Sequence, residues 1–133
     1  MIKVSVNGAL GRMGSTVCEA IIADSETELL DSVDFNSNGQ KTPNDKLIVN
    51  NFDYLTKDNK PDVIVDFTNR DGLMNLVNIA SPLGISIVSG STGLLEEDYS
   101  TLEDVSKKYS CGILSASNFA IGAVLMMELA SIA

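Results

Sequence analysis

Short apolar runs along the chain alternate with stretches whose apolar residues recur at helical spacing. Ile2–Val6 is a β-branched run that predicts a strand, and Arg12–Ala23 sets Met13, Val17, Ala20 and Ile21 on one helical face. Leu29–Val33 predicts a second strand, Leu47–Val49 a weak one, and Asp53–Lys57 a short turn or helix. Asp62–Phe67 (DVIVDF) is nearly all apolar, as a strand covered on both faces requires. Thr68-Asn69-Arg70-Asp71 resembles a capping box, with an acid where Glu or Gln is usual, and opens a helix to about Ser81. Pro82 and Gly84 end it. Ile85–Ser89 is the next strand, Glu96–Tyr109 the next helix and Gly112–Ser115 a last short strand. Glu96, Glu97 and Asp98 suit the positive end of that helix, and a solvated face would hold them equally well. The polar stretch Asn36–Asp45 (NSNGQKTPND) predicts a loop inside one domain.

Strands alternating with helices imply a mainly parallel sheet, joined by right-handed crossovers and covered by helices on both faces. Such a doubly wound α/β sheet takes its ligands at the carboxyl ends of its strands. A chain of 133 residues has room for one domain, and 44% hydrophobic with 20% charged residues reads as globular. Met1-Ile2-Lys3 leads straight into a strand pattern, so we expect no signal peptide, no membrane helix and a cytoplasmic protein. The net charge of −9 opposes a nucleic-acid groove or an anionic membrane surface. Histidine is absent, which excludes an imidazole base, a Ser-His pair and a His-ligated metal. Cys18 and Cys111 lie far apart and outside any CxxC, and read as reduced, buried small hydrophobes, with a disulfide as the alternative.

The loop after the first strand concentrates the chemistry. Gly8-Ala9-Leu10-Gly11-Arg12-Met13-Gly14 is G-x-x-G-x-x-G, a spacing variant of the dinucleotide fingerprint. Glycine permits the tight turn and lets backbone N–H groups approach a pyrophosphate, while the helix terminus supplies positive potential. Arg12 adds a cation there, against the global negative field. A glycine-rich turn alone can be only a turn, but this one has a strand before it and a helix after it. Asp34 follows Gly14 by twenty residues, at the end of the second predicted strand, where an acid can accept hydrogen bonds from a ribose diol. A phosphate loop of the G-x-x-x-x-G-K-[ST] type does not occur.

Three further loops follow predicted strands: Phe67-Thr68, Gly90-Ser91-Thr92-Gly93 and Ala116-Ser117-Asn118-Phe119. With these residues in view the chain resembles the dihydrodipicolinate reductase family, NAD(P)H enzymes of the diaminopimelate route to lysine. GALGRMG is similar to that family's GxxGRMG, DVIVDFT to VxDFT, GSTG to GTTG and ASNFAIG to APNFSxG, in the same order along essentially the whole chain. The resemblance implies a Rossmann-type domain in which Gly8, Ala9, Leu10, Gly11, Arg12 and Met13 line the pyrophosphate and Asp34 holds the adenine ribose. It places Gly90, Ser91 and Thr92 beside the nicotinamide ribose and carboxamide. Ala116, Ser117, Asn118 and Phe119 then border the nicotinamide, with Phe67 and Thr68 between, closer to packing than to chemistry. Ser91 and Ala120 depart mildly from the family pattern, and Ser117 stands where the family has proline, which loosens that turn. Members that accept NADPH well often carry a basic residue directly after the ribose acid. Here Phe35 and Asn36 follow Asp34 and Lys41 is the first base, so of NADH and NADPH the sequence favours NADH.

In that family the chain continues into a substrate domain with an HHxxK motif and most of the tetramer contacts. Nothing of it is present here, so no catalytic residue is expected in these 133 residues, and no metal. Ile121–Ala133 (IGAVLMMELASIA) has Glu128 as its only charge, and a helix apolar on all sides expects burial on all sides. The expectation is a truncated protein or engineered piece, ending at the inter-domain boundary, whose apolar end either associates as a homo-oligomer or folds back on the sheet. Its partners are a nicotinamide dinucleotide and, only with the missing domain supplied, a small-molecule substrate. The rival readings are a non-catalytic dinucleotide-binding or redox-sensing module, and a decayed relative that is merely a stable α/β domain.

Overall fold

The computed structural model describes residues 1–116. Strands β1 (Ile2–Asn7), β2 (Thr27–Val33), β3 (Val63–Asp66), β4 (Ser86–Ser89) and β5 (Ile113–Ser115) form one sheet in the order β2-β1-β3-β4-β5. Every pairing is parallel. Helix α1 (Arg12–Ala23) joins β1 to β2, α2 (Arg70–Ala80) joins β3 to β4, and α3 (Glu96–Tyr109) joins β4 to β5. The chain therefore leaves β1 for one neighbour, then crosses to the other side of β1 to lay down β3. That reversal opens a crevice between the carboxyl ends of β1 and β3, where doubly wound sheets bind ligands.

Alternation along the strands builds a core on each side of the sheet. Val4, Val6, Val63, Val65 and Val88 pack with Val17, Cys18 and Ile21 of α1. Ile64 and Ile87 face the other way, onto Leu73, Leu76, Val77 and Ala80 of α2 and Leu102 of α3. Both cysteines are buried and free, so the disulfide alternative fails. Burial pushes the Cys18 thiol up, away from reactivity.

The predicted helices at 12–23 and 96–109 match, and the polar stretch 36–45 is a loop. Around Asp53 the chain turns, one of the two forms expected there, and Phe52 and Leu55 anchor the excursion in the core beside α2. Three expectations change. Leu47–Val49 is no strand: Val49 makes a single parallel bridge to Val33, and Leu47 an antiparallel one to Lys41. The N-cap of α2 is Asn69, not Thr68, with its side chain accepting the Gly72 N–H at 2.8 Å. Last, the three acids of α3 are not equivalent. Glu96 and Glu97 are exposed, whereas Asp98 is buried, accepts the Leu95 N–H at 2.7 Å and takes a two-pronged ion pair from Arg70 at 2.6 and 2.9 Å. Ser117, Asn118, Phe119 and the apolar segment Ile121–Ala133 lie outside the described residues.

One irregularity matters for the site. Val4 pairs with Leu29 but Ser5 pairs with Asp31, so the register slips by one residue at Leu30. The slip exchanges the faces of β2: Leu29 packs on the α1 side and Val33 on the opposite side. Ser32, whose hydroxyl lies 3.7 Å from the Cys18 sulfur, returns to the α1 side. By the same alternation Asp34 follows Ser32.

Candidate functional site

The loop between β1 and α1 sits at the mouth of the crevice. Gly8 has φ +90°, and a Cβ there would lie 2.5 Å from the Phe67 carbonyl oxygen. Only glycine lets the ends of β1 and β3 approach so closely. A Cβ on Gly14 would overlap the Gly8 carbonyl, so the helix packs directly on its own loop. Gly8 and Ala9 N–H groups donate to the Val33 carbonyl at 2.8 and 3.1 Å, which ties the loop to β2.

The first turn of α1 contains no acid, and Gly11 at its N-cap supplies no side-chain acceptor. The other two helices differ: α2 has Asn69 and Asp71, and α3 has Glu96, Glu97 and Asp98. The backbone donors of α1 are thus left for an anion, and the helix dipole favours one. Arg12 is exposed at this terminus and makes no ion pair among the described residues.

Asp34 closes the other side of the loop. Its Oδ2 accepts the Leu10 N–H at 2.9 Å and its Oδ1 the Asn36 N–H at 2.9 Å. Each oxygen keeps a lone pair for a further donor. The register slip in β2 is what turns this carboxylate towards the glycine loop. Lys41 is engaged elsewhere, 3.3 Å from Asp45.

Behind the crevice lies a group that the sequence reading passed over. Asp66 ends β3, is fully buried, and receives four hydrogen bonds. Asn7 Nδ2 (2.9 Å) and Thr68 Oγ1 (2.7 Å) donate to Oδ1, and Ser89 Oγ (2.7 Å) and Ser91 Oγ (2.5 Å) to Oδ2. Burial pushes the Asp66 carboxyl above the usual carboxylate range, and these donors offset only part of that. One carboxylate so joins the ends of β1, β3 and β4. A signal was present, an acid inside the apolar run DVIVDF, but its partners could not be read from it.

The remaining predicted positions fall around this knot. Ser91 is buried, with its hydroxyl shared between Asp66 and the Thr68 N–H at 3.0 Å. Gly90 lies against the Phe67 ring, so close that a Cβ would collide with it, and Phe67 packs onto the α1-side core. Phe67 and Thr68 thus make packing and hydrogen-bond contacts within the chain. Thr92 is exposed and bridges to Asn69, and Ala116 N–H donates to the Ser89 carbonyl at 2.9 Å. The structure thus brings Gly8 to Met13, Asp34, Phe67, Thr68, Gly90, Ser91, Thr92 and Ala116 to the carboxyl edge of one sheet.

Fold and site together define a doubly wound, Rossmann-type domain of the nucleotide-binding class. Comparison with known proteins narrows the class. The sequence model of the family described as "Dihydrodipicolinate reductase, N-terminus" matches residues 2–119. A 4-hydroxy-tetrahydrodipicolinate reductase of Syntrophomonas wolfei is 39% identical over 97% of this chain and 51% of its own length. One from Cutibacterium acnes is 40% identical over 98% of this chain and 47% of its own. Among solved structures, a dihydrodipicolinate reductase from Paenisporosarcina sp. TG-14 with dipicolinate bound superposes with a TM-score of 0.78 at 27% identity, covering 99% of this chain and 53% of that one. The chain belongs to the dihydrodipicolinate reductase family and corresponds to its N-terminal domain. It spans about half the length of the curated relatives it matches.

Proposed function

We propose that this chain is the nicotinamide-dinucleotide-binding half of a dihydrodipicolinate reductase, a single domain of the Rossmann type. The observation that carries the reading is the N-terminus of α1, uncapped and free of acids, between the Gly8 turn and Asp34. The residues fit a dinucleotide: the loop Gly8, Ala9, Leu10 and Gly11 is held by its own hydrogen bonds and presents the backbone N–H groups of Arg12 and Met13, with the Arg12 guanidinium, to the pyrophosphate, and Asp34 accepts the adenine-ribose hydroxyls. Gly90, Ser91, Thr92 and Ala116, with Ser117, Asn118 and Phe119, border the nicotinamide end. Phe67 and Thr68 hold the wall between. When bound, a reduced nicotinamide supplies hydride to an electrophilic ring carbon of a cyclic dicarboxylate, the class to which the dipicolinate held by the Paenisporosarcina protein belongs.

Among the described residues Asp34 makes no ion pair and Lys41 is paired with Asp45, which favours NADH over NADPH, since a 2′-phosphate would meet an uncompensated carboxylate. The chain has no histidine, and the proton donor and substrate carboxylate contacts come from the substrate domain. Alone it binds cofactor and turns over negligibly, because positioning and acid catalysis each contribute several kcal/mol. We place it in the cytoplasm as part of a homo-oligomer, and no described helix is long and apolar enough to cross a membrane.

Calorimetric titration of the folded chain tests this. NADH is expected to bind at one site and more tightly than NADPH. Gly11→Val should abolish binding, and Asp34→Ala should weaken NADH about tenfold, as loss of charge-assisted hydrogen bonds implies. No binding of either nucleotide up to millimolar concentration would overturn the proposal.

A further inference from the structure

Phe35 is the most exposed large apolar side chain among the described residues, at 83%. An aromatic ring held in water is an unused binding surface. Its backbone is not loose. The adjacent Asn36 N–H donates to Asp34 Oδ1 at 2.9 Å, the Ser37 N–H donates to the Asp34 carbonyl at 2.8 Å, and the Ser37 hydroxyl donates to the Ile48 carbonyl at 2.5 Å. The ring is therefore carried on a pinned turn directly after the carboxylate. On the other side of that carboxylate stands Leu10, 38% exposed, whose N–H donates to Asp34 Oδ2 at 2.9 Å.

From this juxtaposition we propose that Phe35 is the stacking platform for the adenine base of the nucleotide, with Leu10 bordering the same subsite. The inference rests on the dinucleotide reading and adds a recognition residue to it. Its chemistry is direct. In a nucleoside whose 2′- and 3′-hydroxyls are held by Asp34, the base is attached to the carbon next to the diol. The base must then lie within a few ångströms of Asp34, beside the turn that carries the exposed Phe35. Phenylalanine has neither donor nor acceptor, so it recognises the π-face of the base and leaves the base edge unread. The adenosine half is thus recognised by a carboxylate for the sugar and a ring for the base.

The test uses calorimetry with NADH and ADP-ribose, and proton NMR of the adenine H2 and H8 on binding. Phe35→Ala removes an exposed side chain and should leave folding unchanged. It is expected to weaken NADH and ADP-ribose by about the same factor, on the order of tenfold, as loss of a base–aromatic stack implies. Phe35→Trp should restore affinity. Adenine H2 and H8 should move upfield with the wild type through the ring current, and much less with Phe35→Leu, which keeps the apolar bulk and loses the ring. Affinities within twofold of wild type in Phe35→Ala, or adenine signals equally shifted by Phe35→Leu, would overturn the platform while leaving the dinucleotide site standing. Failure of the wild type to bind either ligand would overturn both.

Discussion

Asp66 shows how much one side chain can organise. A buried carboxylate without a cation is costly, and here four neutral donors from three strand ends and the loops beyond them share that cost. Removing the acceptor strands all four donors, so Asp66→Ala is expected to lose about 2–4 kcal/mol of stability in urea denaturation. Asp66→Asn is the sharper probe, because an amide can accept from Asn7 and Thr68 and donate to the two serine hydroxyls. Burial holds the Asp66 carboxyl above its ordinary value of 3.8, so its contribution is fully present below that pH and declines as pH rises through the folded value. The wild type should accordingly lose stability relative to Asp66→Asn as pH is raised from about 4, and the gap should then level off. Denaturation curves at several pH values read this directly, and a gap that does not move with pH would contradict it.

Among the elements, α2 and α3 are tied at their N-termini. Arg70, the first residue of α2, holds Asp98 in the first turn of α3, and Asp98 also caps the Leu95 N–H. The Arg70 guanidinium and the Leu95 N–H hold the Asp98 carboxyl below the usual carboxylate range. Its contribution is therefore present above a pH of about 3.8 and lost as pH falls through the lower folded value, opposite in sign to Asp66. Asp98→Asn should be less stable than the wild type at neutral pH, and the difference should shrink in acid. Thermal unfolding at pH 7 and below pH 3 compares the two. The three acids at this helix start look alike in sequence. Burial of one of them follows from an arginine 28 residues earlier.

For the molecule as a whole, the parallel order places β1 and β3 in the middle and β5, only three residues long, at an edge. Val4 and Val6 of β1 and Val63 and Ile64 of β3 are fully buried, so these strands open only with the whole sheet. Amide hydrogen exchange should be slowest in β1 and β3 and clearly faster in β5. A uniform exchange rate across the sheet would contradict this. The same centre carries the site: the crevice lies at the ends of two interior strands, and its rims are loops. Rigid strand ends hold the Gly8 turn, Asp34 and the Asp66 knot in fixed relation, which a preformed nucleotide cleft needs.

Sequence by itself determined the kinds of element, their order and the parallel sheet, because apolar spacing records which faces will be buried. It also determined the glycine loop and the distance to Asp34, because those demands on backbone freedom and charge are local. The family motifs GALGRMG, DVIVDFT and GSTG were legible for the same reason. Tertiary structure decided the rest. The cap of α2 passed to Asn69 because the Thr68 hydroxyl is taken by Asp66. Asp34 faces the loop because the register slips at Leu30, which no spacing in β2 announces. Asp66 is sustained by partners 23 to 59 residues away, except Thr68, and Asp98 by Arg70 across two helices. A hydrogen bond between residues so far apart leaves no periodic trace, since it is the packing of whole strands that brings donor and acceptor together.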